Sequence, residues 1–108
     1  MNWIRLTDIA QLDEIDTLSS EESSSVAIFK HSTRCSISSM ALNRVNRGEA
    51  SMPAYLLDLI QYREISNAIA TRYQIMHESP QLLIIKNGKA VHHSSHTMIS
   101  LAEMQGVY

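Results

Sequence analysis

The stretch VAIFKHSTRCSISSMALNRV (residues 26–45) holds the chain's single cysteine, Cys35, with Arg34 before it and Ser38 three residues on. A thiol attacks a disulfide as its thiolate, and a free cysteine ionises only near about pH 8.5. The apolar run ends at residue 30, polar residues follow, and Ile37, Met40, Ala41 and Val45 then recur near helical period. Cys35 therefore opens a helix, whose unpaired N–H groups and dipole favour an anion. Arg34 adds positive charge, and Ser38, one turn away, is in reach to donate a hydrogen bond to the sulfur. Both are candidates for stabilising the thiolate. A C-x-x-S arrangement can take up a mixed disulfide but cannot release it by internal exchange, so a second, external thiol is required. The competing reading is a buried structural cysteine, the commoner state of a free thiol. Polar Thr33, Arg34, Ser36 and Ser38 suit a dry pocket poorly.

Composition sets the frame for that thiol. The 108 residues are 44% hydrophobic and 19% charged, the make-up of one ordinary globular domain over 1–108 that can bury a core without staples. A net charge of -2 gives no positive surface for nucleic acid. A lone cysteine forms no internal disulfide. The start MNWIRLTDIAQLDEID lacks a basic, then apolar, leader. No apolar run approaches the ~20 residues that span a bilayer. These features predict a reduced, cytoplasmic protein without a membrane partner.

Strand and helix signals alternate along the chain. NWIRL reads as a first strand, and Thr7 is placed to cap a helix that turns Ile9, Leu12 and Ile15 to one face. Residues 19–25, SSEESSS, form a polar loop. VAIFK (26–30) is a strand of the kind covered on both faces, and the helix after Cys35 ends near Arg47 with Gly48 as its stop. AYLLDLI (54–60) is a third strand, and REISNAIATRY a helix with Ile65, Ile69 and Tyr73 on one face. Strands separated by helices favour parallel pairing through crossovers. QLLIIKNGKAVHH folds back instead, as a hairpin around Asn87-Gly88. Ser100 and Glu103 form a capping box that opens a closing helix before Gly106. The order is β-α-β-α-β-α-β-β-α, an α/β fold with a central mixed sheet flanked by helices.

Other residues could also do chemistry. Pro80 has no N–H to give a ladder and fits just ahead of the QLLIIK strand. By frequency alone its peptide bond is trans. His77 and Glu78 precede Ser79-Pro80, and Gln81 follows. His77 is a candidate base toward Cys35 or the leaving thiol, against the commoner role of holding a turn. Arg63, Ser66 and Asn67 read as structural, capping the third helix or tying it to the HESPQ loop. His92 and His93 point to opposite faces of a strand, and with His96 they lack a convergent ligand set, so no metal is expected. The methionines at 40, 52, 76, 98 and 104 read as core filler.

Taken in order, FKHSTRCSIS, YREISNAIATRY, HESPQ, KNGK and SSH resemble the YtxJ family of monothiol bacilliredoxins, across nearly the whole chain. HESPQ with REISNAIA carries most of the specificity. The family's site reads Cys-Pro-Ile-Ser, whereas this chain has Ser36 in the proline's place. The resemblance implies a thioredoxin-like fold and thiol–disulfide exchange on bacillithiol, a low-molecular-weight thiol that acts as co-substrate, with no bound cofactor. Cys35 would take bacillithiol from a modified client protein, and free bacillithiol or another redoxin would then reduce it. Pro80 would be cis and lie against Cys35, and Ser79 would offer its backbone to an extended client segment. His77 and Gln81 are auxiliary candidates there.

Two other classes compete with exchange. One is an iron–sulfur carrier of the monothiol glutaredoxin kind, whose Cys-Gly-Phe-Ser site CSIS does not match. The other is a redox-inactive thioredoxin-fold interaction module with an incidental thiol.

Overall fold

A computed structural model describes residues 1–21 and 24–108. The elements are β1 (Trp3–Arg5), α1 (Gln11–Ser19), β2 (Val26–His31), α2 (Ser36–Val45), β3 (Ala54–Asp58), α3 (Arg63–Tyr73), β4 (Gln81–Lys86) and β5 (Lys89–Ser95). Two 3₁₀ turns follow, η1 (His96–Met98) and η2 (Leu101–Gln105). The sheet order is β1-β3-β2-β4-β5, parallel among β1, β3 and β2 and antiparallel beyond. The expected mixed sheet with parallel and folded-back halves is the observed one.

Alternation along central strand β2 divides the core. Val26 and Ile28 join Leu12 and Ile15 of α1 and Ile65, Ile69 and Tyr73 of α3 in one layer. Ala27 and Phe29 join Ala41 and Val45 of α2 with Ile99 and Met104 in the other. The next pair, Lys30 and His31, follows the same alternation into polar ground. The hairpin turns at Asn87 (φ 53°) and Gly88 (φ 70°), both left-handed, as a two-residue turn of matching twist requires. Ser19 holds that turn, its carbonyl accepting from the Asn87 N–H at 2.7 Å and its hydroxyl from the Gly88 N–H at 3.1 Å. Tyr73 ties α3 to α1, donating to Asp16 at 2.7 Å.

Several local expectations fail, for identifiable reasons. Thr7 does not cap α1. The helix starts four residues later, and the Gln11 side chain takes the Thr7 and Asp8 N–H groups at 2.7 and 2.9 Å. Ile9 is consequently outside the helix and exposed. Gly48 is not the stop of α2, which ends at Val45. A Cβ there would sit 2.7 Å from Leu101 Cδ2, a side-chain tip that would have to shift aside. The closing helix is a 3₁₀ turn, although the Ser100–Glu103 capping box and the left-handed Gly106 (φ 84°) are present. Of the five methionines read as filler, only Met104 is fully buried. Met52 packs at the edge of the core, and Met40, Met76 and Met98 are exposed. In the 19–25 segment, residues 22 and 23 lie outside the described residues.

Candidate active site

Two arms meet at the end of β2. The first begins where Lys30 and His31 finish the strand. The chain turns through Ser32, whose carbonyl accepts from the Cys35 N–H at 3.2 Å, and Cys35 becomes the residue that caps α2 in extended conformation (φ -114°, ψ 122°). Its carbonyl accepts from the Ser39 N–H at 3.1 Å, which starts the helix. The thiol is half-buried and makes no side-chain cap. As the capping residue, Cys35 precedes the first-turn N–H groups that the helix itself leaves unpaired, and its side chain accepts from none of them.

Ser38 is fully buried one turn on. Its hydroxyl lies 2.6 Å from His31 Nδ1 and accepts from the Ser32 N–H at 3.0 Å. No hydrogen bond joins it to the Cys35 sulfur, so its hold on the thiol runs through the backbone: it stitches the first turn of α2 to the strand end. Arg34 is exposed and makes no ion pair among the described residues. An exposed charge of this kind is screened by salt.

The second arm is the loop into β4. The Ser79-Pro80 bond is cis, as the resemblance implied, and Pro80 is buried directly before the strand. The Pro80 carbonyl accepts from the His96 N–H at 3.1 Å, and the Glu78 carboxylate accepts from Ser95 Oγ. Ser79 Oγ is buried without a partner among the described residues. Gln81 is buried and donates to the Met76 carbonyl at 3.0 Å, so it braces the loop from inside.

His77 turns toward α3. Its Nδ1 lies 3.3 Å from Lys30 Nζ and 3.4 Å from Ser66 Oγ. Burial, then the charges of Lys30 and Arg63, hold its pKa below the usual 6.5 against the weaker opposing pull of Glu78. The ring is neutral at pH 7, and its Nδ1 is occupied. Among Arg63, Ser66 and Asn67, it is Ser66 that ties α3 to this loop, through Lys30 and His77. Helix α3 takes no side-chain cap from its own residues. Asp58 instead receives the Ile60 and Gln61 N–H groups at 3.1 and 3.3 Å just ahead of it.

Lys30 and His31 were not singled out in the sequence. Lys30 is fully buried, donates to the Ser66 carbonyl at 3.2 Å, and burial lowers its pKa from 10.5 to about 8. The His31 pKa is also lowered, chiefly by burial and further by Arg5, with Asp58 opposing. The available signal was a lysine inside an otherwise apolar strand, because a charge seldom occupies a doubly covered position without a task.

Away from this site, His92 pairs with Glu103 and stacks on Tyr108 with ring centroids 4.7 Å apart. His92 and His93 lie on opposite faces of β5. Among the described residues no three His, Cys, Asp or Glu side chains converge as a metal site, and no helix is long and apolar enough to cross a membrane.

Known proteins share this fold. The family model described as monothiol bacilliredoxin BrxC matches residues 4–104. A solved thioredoxin-fold structure, described as a candidate oxidoreductase, is 33% identical with a TM-score of 0.79, covering 94% of this chain and 88% of its own. Thioredoxin from Fasciola hepatica is 16% identical with a TM-score of 0.67, covering 93% and 90%. A variant thioredoxin from Halobacterium salinarum, also 16% identical at 0.67, covers 94% and 83%. The last two speak for the fold alone.

Proposed function

The chain belongs to the monothiol bacilliredoxin family, and we propose that its thiol-redox function is the removal of bacillithiol from client proteins through Cys35. The observation that carries this reading is the chain's only thiol, half-buried at the residue that caps α2, four residues past the end of β2, whose Lys30 stands opposite Gln81 at the start of β4. The thiolate of Cys35 attacks the bacillithiol sulfur of the client's mixed disulfide. The sulfur–sulfur bond breaks, the client leaves as its thiolate, and Cys35 carries bacillithiol. A second thiolate, from free bacillithiol or a partner redoxin, attacks the bacillithiol sulfur of that adduct and regenerates Cys35. With serine at position 38, no internal thiol competes for this step. No bound cofactor is needed, and bacillithiol enters as co-substrate.

In this reading Ser79 and Pro80 present backbone to an extended client segment, a pairing that would leave the client's side chains loosely read. The clients are bacillithiol-modified proteins, and the compartment is the reducing cytoplasm, where a lone thiol stays free. Cys35→Ser should abolish removal of bacillithiol from a modified client while the fold persists by circular dichroism. Retained removal would overturn the assignment. A colourless protein after anaerobic purification would oppose the cluster-carrier alternative.

A further inference from the structure

Lys30 is anomalous on physical grounds. Its side chain is fully buried, yet no carboxylate pairs with it among the described residues. Its two acceptors are a helix carbonyl, Ser66 O at 3.2 Å, and an imidazole nitrogen, His77 Nδ1 at 3.3 Å. A buried cation without an anion is costly, and a well-packed apolar residue would usually serve stability as well or better. The geometry points to what the charge does. Its acceptors belong to α3 and to the loop that runs into Ser79-Pro80, so one ammonium spans strand, helix and loop. Lys30 also stands opposite Gln81 in the β2–β4 register, and Gln81 holds the adjacent Met76 carbonyl. Met76 and His77 are thus gripped from the inside at consecutive positions.

We propose that Lys30 is a positioning residue for the client-engaging loop: by donating to Nδ1 it holds His77 as a neutral acceptor and fixes residues 76–80, and protonation of His77 releases them. This rests on the exchange reading given above. An imidazolium has no lone pair at Nδ1, so the hydrogen bond from Lys30 is lost and two cations face each other. Of the charged groups around His77, two act in one sense and one against them. Lys30 from β2 and Arg63 from α3 oppose its protonation, Glu78 from its own loop favours it, and the Ser66 hydroxyl is neutral. The loop is consequently firm at neutral pH and loosens in acid. Cys35 lies on the other arm, outside this set of contacts.

The test separates the two arms. In steady-state removal of bacillithiol from a protein client, Lys30→Met should raise KM about tenfold with little change in kcat, the size expected when a remote contact misplaces a binding segment. Adduct formation on its Cys35 with small bacillithiol disulfide, which needs no loop, should stay within about twofold of wild type. Unchanged KM, or equal losses in both reactions, would overturn the proposal. A wild type that forms no adduct would instead refute the exchange reading. The second measurement does not depend on the variant's folding. Nitrogen-15 NMR of wild type should show His77 with Nδ1 unprotonated and Nε2–H at pH 7, and the amides of residues 76–79 should shift together with its protonation in acid. An Nδ1–H tautomer, or loop amides indifferent to that titration, would refute the latch.

Discussion

Lys30 and His31 are neighbours in sequence and opposites in setting. Strand alternation sends one toward α3 and the other toward α2. His31 meets a serine hydroxyl at 2.6 Å, a compact neutral contact that fixes the first turn of the helix behind Cys35. Lys30 meets a carbonyl and an imidazole at 3.2 and 3.3 Å, a longer and charged contact that fixes the loop before Pro80. One strand end thus serves both halves of the site by different means. The thiol arm rests on a contact between neutral groups, whereas the loop arm rests on a charged one. A strand that supplied only apolar residues here would leave helix and loop to be placed by shape alone.

The largest effect that sharpens this contrast belongs to Lys30. Its folded pKa of about 8 lies below the unfolded 10.5, so between those values the unfolded chain holds the extra proton and stability rises with pH. Wild type should gain ~1.5 kcal/mol between pH 8 and 9.5 in urea unfolding. Lys30→Met should lack that rise and be no less stable than wild type at pH 7. A parallel rise in the variant would show that the lysine is not the source.

Ser38→Ala tests the other arm. It strands the Ser32 N–H and His31 Nδ1 and should cost ~1–2 kcal/mol. Adduct formation on Cys35 should slow several-fold, while KM for a protein client holds. Loss of client binding without slowing would reverse the assignment of arms.

Acid reaches both arms, because His31 and His77 each have a folded pKa lowered below the unfolded ~6.5. The unfolded chain takes up protons first as pH falls from about 6.5, so stability declines there. In Lys30→Met that decline should shrink, since one cation facing His77 is gone. An identical decline would place its cause elsewhere. The smallest effect is at Arg34, whose exposed charge is screened. Arg34→Gln should change the adduct rate by less than about twofold at physiological salt, and a larger change would mean that Arg34 contacts the reacting groups directly.

Where local pattern dictates structure, the sequence was readable. Asn87-Gly88 had one sensible turn, the REISNAIATRY helix declared its buried face, and Cys35 stood where a strand gives way to a helix. The start of α1 was hidden because a glutamine side chain captured the N–H groups assigned to Thr7's helix. Gly48 looked like a helix stop, but α2 ends at Val45, and what lies against position 48 is the side-chain tip of Leu101, a residue far along the chain. Ser38 shows the limit within the site itself: spacing placed it one turn from the sulfur, but its hydroxyl reaches back to His31 and Ser32. The Lys30–His77 contact joins positions 47 residues apart, which no local period encodes. Only the oddity of a lysine in an apolar strand hinted at it.

The most direct measurement is the intact mass of the protein after incubation with bacillithiol disulfide. The expected result is a gain of one bacillithiol on Cys35, restored to the original mass by a second thiol. An unmodified chain, or an adduct that a second thiol cannot remove, would contradict it.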